Sequence, residues 1–264
     1  MEEPITILDI RTTEALVFKS ISQVLKKNFL NATFVFTPKG LFCQESSGDY
    51  LIVEILLGSD KFIKPWKIPV VEYGGFSLVQ FNTDNFFEAL KRVQKLDKLR
   101  LYIFENDSRT LHIEIYNDTR NTQILKSVPL IDIALSAGVP QSFQGIDPTA
   151  TIIGGVFKKA TADIYKQSKL SVRIVARLTG GQMQATNTDI NPHAESFGTI
   201  NMSEPIVYDE LISTQRIHHF SAMAAGGVSK NIYIYAIKDH PFRLKADAGT
   251  LGIVSMYISP ADDE

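Results

Sequence analysis

Lysines and arginines recur on the outward side of three stretches of helical periodicity, and the chemistry open to them is the neutralisation of phosphates. Lys19, Lys26 and Lys27 lie with Ser22 and Gln23 on the polar side of a stretch from Thr13 to Asn28. Val17, Phe18, Ile21, Val24 and Leu25 recur at helical spacing on its other side. Lys158, Lys159 and Lys166 stand in the same way opposite Phe157, Ala160 and Ile164 between Gly154 and Gln167. Lys91, Arg92 and Lys95 oppose Phe86, Leu90 and Val93 in a stretch from Thr83 to Lys95, with Asn82, Thr83 and Asp84 suited to cap its start. A fourth stretch, Thr214 to Ala225, buries Ile217, Phe220 and Ala224 and offers Arg216 beside His218 and His219. No aromatic or Asn/Gln pattern accompanies these cations, so the contacts expected are weak, salt-sensitive and indifferent to base sequence.

The charge is segregated. The four helical windows 14–28, 83–98, 154–169 and 209–225 carry formal charges of +2, +1, +3 and −1, so the rest of a chain of net charge −2 carries −7. A lysine on one exposed helix face is by default merely solvated. Repetition at corresponding positions, with the acidic charge kept elsewhere, points to a surface that meets phosphates while the remainder repels stray anions.

Other chemistry finds no support. His112, His193, His218, His219 and His240 show no metal-ligand spacing. The pairs Gly154-Gly155, Gly180-Gly181 and Gly226-Gly227 lack the context of a phosphate-binding loop and read as turns. Cys43, the single cysteine, sits in an apolar run and reads as a core residue. No catalytic constellation, metal or cofactor site is expected. The acidic start Met1-Glu2-Glu3-Pro4 is unlike a secretory signal, and no run nears the roughly 18 apolar residues of a membrane span, so a cytosolic or nuclear protein without a membrane partner is expected.

The elements that must position the cations are written twice, about 140 residues apart. Phe18-Lys19-Ser20-Ile21, then Ala32 to Phe36, then Gly40 to Gln44 match Phe157-Lys158-Lys159-Ala160, then Leu170 to Val175, then Gly180 to Gln184. Each copy reads as helix, strand, tight turn, strand. Further strands are expected at Tyr50–Leu56, Ser77–Phe81, Leu99–Phe104, Thr110–Tyr116, Asn231–Ile237 and Ile253–Ile258, rich in β-branched and aromatic residues. Few helices among many antiparallel runs define an α+β chain. The predicted domains are residues 1–126 and 141–264, each with two helices against antiparallel sheet, joined by a connector at 127–140 that is too apolar to be a loose spacer.

In order and spacing these features resemble the eukaryotic-type DNA sliding clamp family, that of proliferating cell nuclear antigen. The similarity runs from the first basic helix through Gly40 to Gln44, Asn82 and Gly138-Val139-Pro140 to Leu251-Gly252, Tyr257, Pro260 and an acidic tail. The resemblance implies a homotrimeric ring of clamp domains that encircles duplex DNA, tethers DNA polymerase and other replication and repair enzymes, and is opened by a clamp loader. It places the protein in the nucleus, or at a cytoplasmic viral replication site, and assigns it no enzymatic activity. Lys19, Lys26, Lys91 and Lys159 fall where the family carries basic lumen residues. Val139, Pro140, Pro241, Tyr257, Ile258, Ser259 and Pro260 fall where it receives short hydrophobic-aromatic partner peptides. Subunits are expected to pair strand Thr110–Asn117 with Ser196–Met202 of the next copy.

Departures from the family pattern are Glu88 and Ala162 at expected basic positions, a sparsely charged fourth helix and a short segment after Ala185. Two other readings stay open. One is a processivity subunit acting as a monomer or open dimer. The other is a clamp-derived checkpoint or transcription scaffold that does not encircle DNA.

Overall fold

The computed structural model describes residues 4–48, 51–68, 76–132, 146–185 and 194–260. The chain divides into two compact units, one of residues 1–45, 54–138 and 248–253, the other of 46–53, 139–247 and 254–264. The class is α+β, with antiparallel sheets and, among the described residues, four α-helices.

In order along the first part of the chain come β1 (Thr6–Thr12), α1 (Ala15–Asn28), β2 (Asn31–Thr37), β3 (Gly40–Ser47), β4 (Leu51–Gly58), β5 (Ile63–Lys67), β6 (Ser77–Asn82), α2 (Thr83–Leu90), β7 (Lys98–Phe104), β8 (Asp107–Asn117) and β9 (Thr122–Ile131). Within the first unit the strands run in the order β3-β2-β6-β9-β8-β7-β1-β5. Strand alternation is clearest in β2, where Ala32, Phe34 and Phe36 point inward and are fully buried. Phe34 meets Phe81 edge-on at 4.8 Å and Phe86 at 5.5 Å, so the apolar faces of β2, β6 and α2 close on one aromatic cluster.

The second unit contains β10 (Ala150–Ile153), α3 (Gly154–Gln167), β11 (Ser171–Arg177), β12 (Gly180–Ala185), β13 (Ala194–Gly198), β14 (Tyr208–Ser213), α4 (Thr214–Phe220), β15 (Asn231–Tyr235), β16 (Phe242–Ala248) and β17 (Gly252–Ile258). Its strands form the run β10-β15-β16-β17 and a four-stranded sheet β13-β12-β11-β14. Val172, Ile174 and Ala176 of β11 and Met183 of β12 are buried, as are Phe157 of α3 and Phe220 of α4.

The internal repeat holds down to single hydrogen bonds. The Thr83 N–H donates to Leu30 O at 3.0 Å, tying the start of α2 to the loop after α1, and the Thr214 N–H donates to Leu170 O at 3.2 Å, tying α4 to the loop after α3. Ser22 Oγ donates to Lys19 O at 2.7 Å and Thr161 Oγ1 to Lys158 O at 3.2 Å, at matching places in α1 and α3. Ser22 therefore corrects the expected polar face of α1: it is fully buried, and the bond back to its own helix satisfies the hydroxyl.

Two helices are shorter than their periodicity suggests. α2 stops at Leu90, because the Asp97 carboxylate accepts from the Gln94 N–H at 2.8 Å and Leu96 adopts a φ of 74°, both of which take the backbone out of the helical path. Lys91, Arg92 and Lys95 thus lie on the turns that follow. α4 stops at Phe220 and continues as 3-10 turns over Ser221–Gly227, where Gly226 has a φ of 66°.

The subunit edge expected at Thr110–Asn117 is corrected as well. Those residues belong to β8, which is paired along its length with β7 on one side and β9 on the other, so its backbone groups are already used. β9 has an open edge: from Thr122 to Val128 it pairs with β8 alone among the described residues, and it meets β6 only at Leu130 and Ile131. β13 likewise pairs with β12 alone among the described residues.

Candidate nucleic-acid interface and peptide pocket

In the first unit α1 and α2 pack together and carry the cations between them. Lys19 is half-buried, and its Nζ donates to Val93 O at 2.8 Å, on the turn that closes α2. Lys26 Nζ stands 2.9 Å from Asp84 and 4.5 Å above the Phe87 ring, and Lys91 pairs with Glu88. Two acidic residues of α2 thus engage two of the expected phosphate contacts. Lys27, Arg92 and Lys95 are exposed and make no ion pair or hydrogen bond among the described residues. Although the residue is exposed overall, desolvation by the neighbouring protein lowers the pKa of the Lys27 ammonium.

In the second unit Lys158 and Lys159 are exposed on α3, again with no ion pair or hydrogen bond among the described residues, and Lys166 pairs with Asp163 of its own helix at 3.0 Å. Arg216 is half-buried on α4, and burial lowers its pKa. The Tyr165 and His218 rings stack at 4.7 Å and 7°, fixing α4 against α3. Exposed pairs such as Lys26–Asp84 and Lys166–Asp163 are worth about 0–1 kcal/mol, so an arriving phosphate can replace the carboxylate at small cost. The cations of α1 and α3 are lysine point charges, four of the six exposed.

A second feature lies in the second unit, where Ile146, Tyr235, Ile237, His240, Pro241, Arg243 and Tyr257 line a partly open pocket of about 20 Å³. Of the residues expected to receive a partner peptide, Pro241 and Tyr257 line it. Ile258 is fully buried in β17, Ser259 and Pro260 are half-exposed just beyond it, and Val139 and Pro140 lie outside the described residues. The lining also brings in residues that no motif marked, Arg243 above all. Its guanidinium lies 4.8 Å from the Tyr235 ring centre and 5.0 Å from that of Tyr257, and its Nη2 donates to Ser255 Oγ at 3.1 Å. Its place in an alternating strand, flanked by Phe242 and Leu244, was the only signal available, and alternation alone makes it a residue facing away from the core.

Two α+β units, each with a helix pair against antiparallel sheet and with one plan repeated, define the DNA clamp fold. Among solved structures, the PCNA2–PCNA3 complex from Sulfolobus tokodaii matches with a TM-score of 0.76 at 17% identity, over 96% of this chain and 99% of that one. The proliferating cellular nuclear antigen of Entamoeba histolytica matches with a TM-score of 0.77 at 16% identity, over 97% of this chain and all of that one. No family model and no curated protein matches the sequence. Among the described residues no helix is long and apolar enough to cross a membrane.

Proposed function

We propose that this chain is a DNA sliding clamp, a non-enzymatic processivity factor that closes as a homotrimer around duplex DNA, is loaded by a clamp loader and tethers polymerases and repair enzymes. The observation that carries the reading is the pairing of a clamp fold with solvent-accessible cations on α1 and α3, the matching helices of its two repeats, and after α2: Lys26 and Lys27 on α1, Lys158, Lys159 and Lys166 on α3, and Lys91, Arg92 and Lys95 after α2. Lys19 and Arg216 are proposed as further phosphate contacts of their units, Lys19 while also tying α1 to the turn after α2. Domains 1–126 and 141–264 with the connector 127–140 remain the proposed functional division.

Ring closure is proposed to run through the open edges of β9 and β13, which would pair the first unit of one copy with the second unit of the next and hide two exposed strand edges. Partner peptides are proposed to seat at the pocket of Pro241 and Tyr257. Work in the nucleus, or at a viral replication site, follows from the DNA substrate.

The test is retention on DNA after loading. A clamp stays on closed circular plasmid and slides off the same plasmid once it is linearised, and its mass in solution is near three chains. A single-chain mass with equal loss from circular and linear DNA would overturn the reading. The engagement of Lys19, Lys26 and Lys91 by neighbouring groups favours one competitor, a clamp-derived scaffold that leaves its basic helices unused. That reading predicts trimers with no retention on either form.

A further inference from the structure

We infer that Asp84 and Glu88 of α2 are built-in competitors for DNA phosphate, which hold Lys26 and Lys91 and keep the grip of the first unit on DNA weak. The inference rests on the proposed DNA-facing use of α1 and α2 and adds to it a control of affinity. Asp84, Phe87 and Glu88 stand at i, i+3 and i+4 and so share one face of α2. All three meet Lys26 of α1: its Nζ lies 2.9 Å from Asp84, 4.0 Å from Glu88 and 4.5 Å from the Phe87 ring centre. Glu88 also accepts a hydrogen bond from Lys91, which holds its carboxyl below the ordinary value and keeps it ionised. The two carboxylates thus offer these ammonium groups the charged acceptors that phosphates would offer.

The internal repeat shows that packing of the helix pair does not require these acids. Thr83 matches Thr214 through the bonds to Leu30 O and Leu170 O, and Ser22 matches Thr161 through the bonds to Lys19 O and Lys158 O. Counted from those places, Asp84, Phe87 and Glu88 match Gln215, His218 and His219 of α4, and Lys26 matches Tyr165 of α3. The contact of Lys26 with Phe87 in the first unit is therefore the stack of Tyr165 on His218 in the second. One helix pair closes on two rings with no carboxylate on α4, the other on a lysine between two acids. A lysine already matched with a carboxylate gains little from phosphate, because the displaced acid must gather counterions of its own. Contacts of that kind exchange readily and leave a clamp free to slide.

The test is fluorescence anisotropy of a labelled duplex titrated with the full chain at several salt concentrations. Asp84→Asn with Glu88→Gln should bind roughly five- to tenfold tighter than wild type at low salt, and the slope of log affinity against log salt should steepen by about 1.8, close to 0.9 for each lysine released. Adding Lys26→Gln and Lys91→Gln to that variant should abolish the gain. Circular dichroism checks that each variant folds. If the double acid variant does not, Glu88→Gln alone decides: it leaves Asp84 in the first turn of α2 and should steepen the slope by about 0.9. A wild-type slope in the folded acid variants, or a gain that survives loss of the two lysines, would overturn the inference and leave the DNA-binding reading standing. Absence of salt-dependent binding in wild type and acid variants alike would overturn that reading itself.

Discussion

The Lys19 ammonium donates to the carbonyl oxygen of Val93 at 2.8 Å, across 74 residues of sequence. Val93 lies on the turn that follows α2, its N–H bonded to Leu90 O at 3.0 Å, so the lysine bond ties α1 to the end of α2. A residue expected to face phosphate is thereby also a structural tie. Lys158, at the corresponding place on α3, has no such bond among the described residues.

The two lysines should separate on mutation. Lys19→Met removes a charged hydrogen bond and should cost about 1–2 kcal/mol of stability, whereas Lys158→Met should stay within about 0.5 kcal/mol of wild type. Urea unfolding of the two variants measures the difference. Equal costs would mean that the Lys19–Val93 bond contributes nothing.

Lys158 and Lys159 should matter instead for DNA. If both neutralise phosphates, replacing the two by Gln lowers the slope of log affinity against log salt by about 1.8, close to 0.9 for each phosphate left without its lysine. Binding to duplexes of unrelated sequence should weaken equally. Titrations at several salt concentrations read both effects, and an unchanged slope would place α3 away from the DNA.

Leu125 offers a test of assembly. It is 61% exposed on β9, whose neighbours Gln123, Lys126 and Ser127 are also exposed, as suits a strand awaiting a partner. Leu125→Lys should shift the sedimentation coefficient from that of the assembled form to that of a single chain, with stability of the isolated chain changed by less than about 0.5 kcal/mol. An assembled variant would exclude β9 as the joining edge.

Asp9 should make the stability of the first unit sensitive to acid. Burial raises its pKa, but hydrogen bonds from Arg100 at 2.7 and 2.9 Å and from Arg11 at 3.0 and 3.2 Å outweigh burial and hold the carboxyl below its ordinary value. A depressed folded-state pKa contributes stability that is fully present above the unfolded value of 3.8 and is lost as the pH falls through the folded value. Asp9→Asn should therefore cost about 1–3 kcal/mol at neutral pH, and its deficit should narrow below about pH 4. Thermal unfolding across that range supplies the check.

Much of the architecture was legible because it depends on short-range pattern. Helical spacing in Val17, Phe18, Ile21, Val24 and Leu25 places α1 to within two residues at its start, and α3 runs from Gly154 to Gln167 as its periodicity indicates. The doubled plan of helix, strand, turn and strand was visible for the same reason. Where helices ended early, the cause was an interaction from outside the window, such as the Asp97 carboxylate on the Gln94 N–H, or a φ that Leu96 adopts against its own preference.

The sequence by itself determined that the chain is α+β, that its plan is repeated and that α1 and α3 each carry three lysines, since each depends on composition and on residues a few positions apart. Only the tertiary structure decided which cations are already engaged, as with Lys19 on Val93 and Lys26 on Asp84. It also decided that β9, not β8, has an open edge, and that Tyr235, Arg243 and Tyr257 stack into one pocket wall. Those outcomes depend on which strand pairs with which and on side chains brought together from distant positions, and no local periodicity records them.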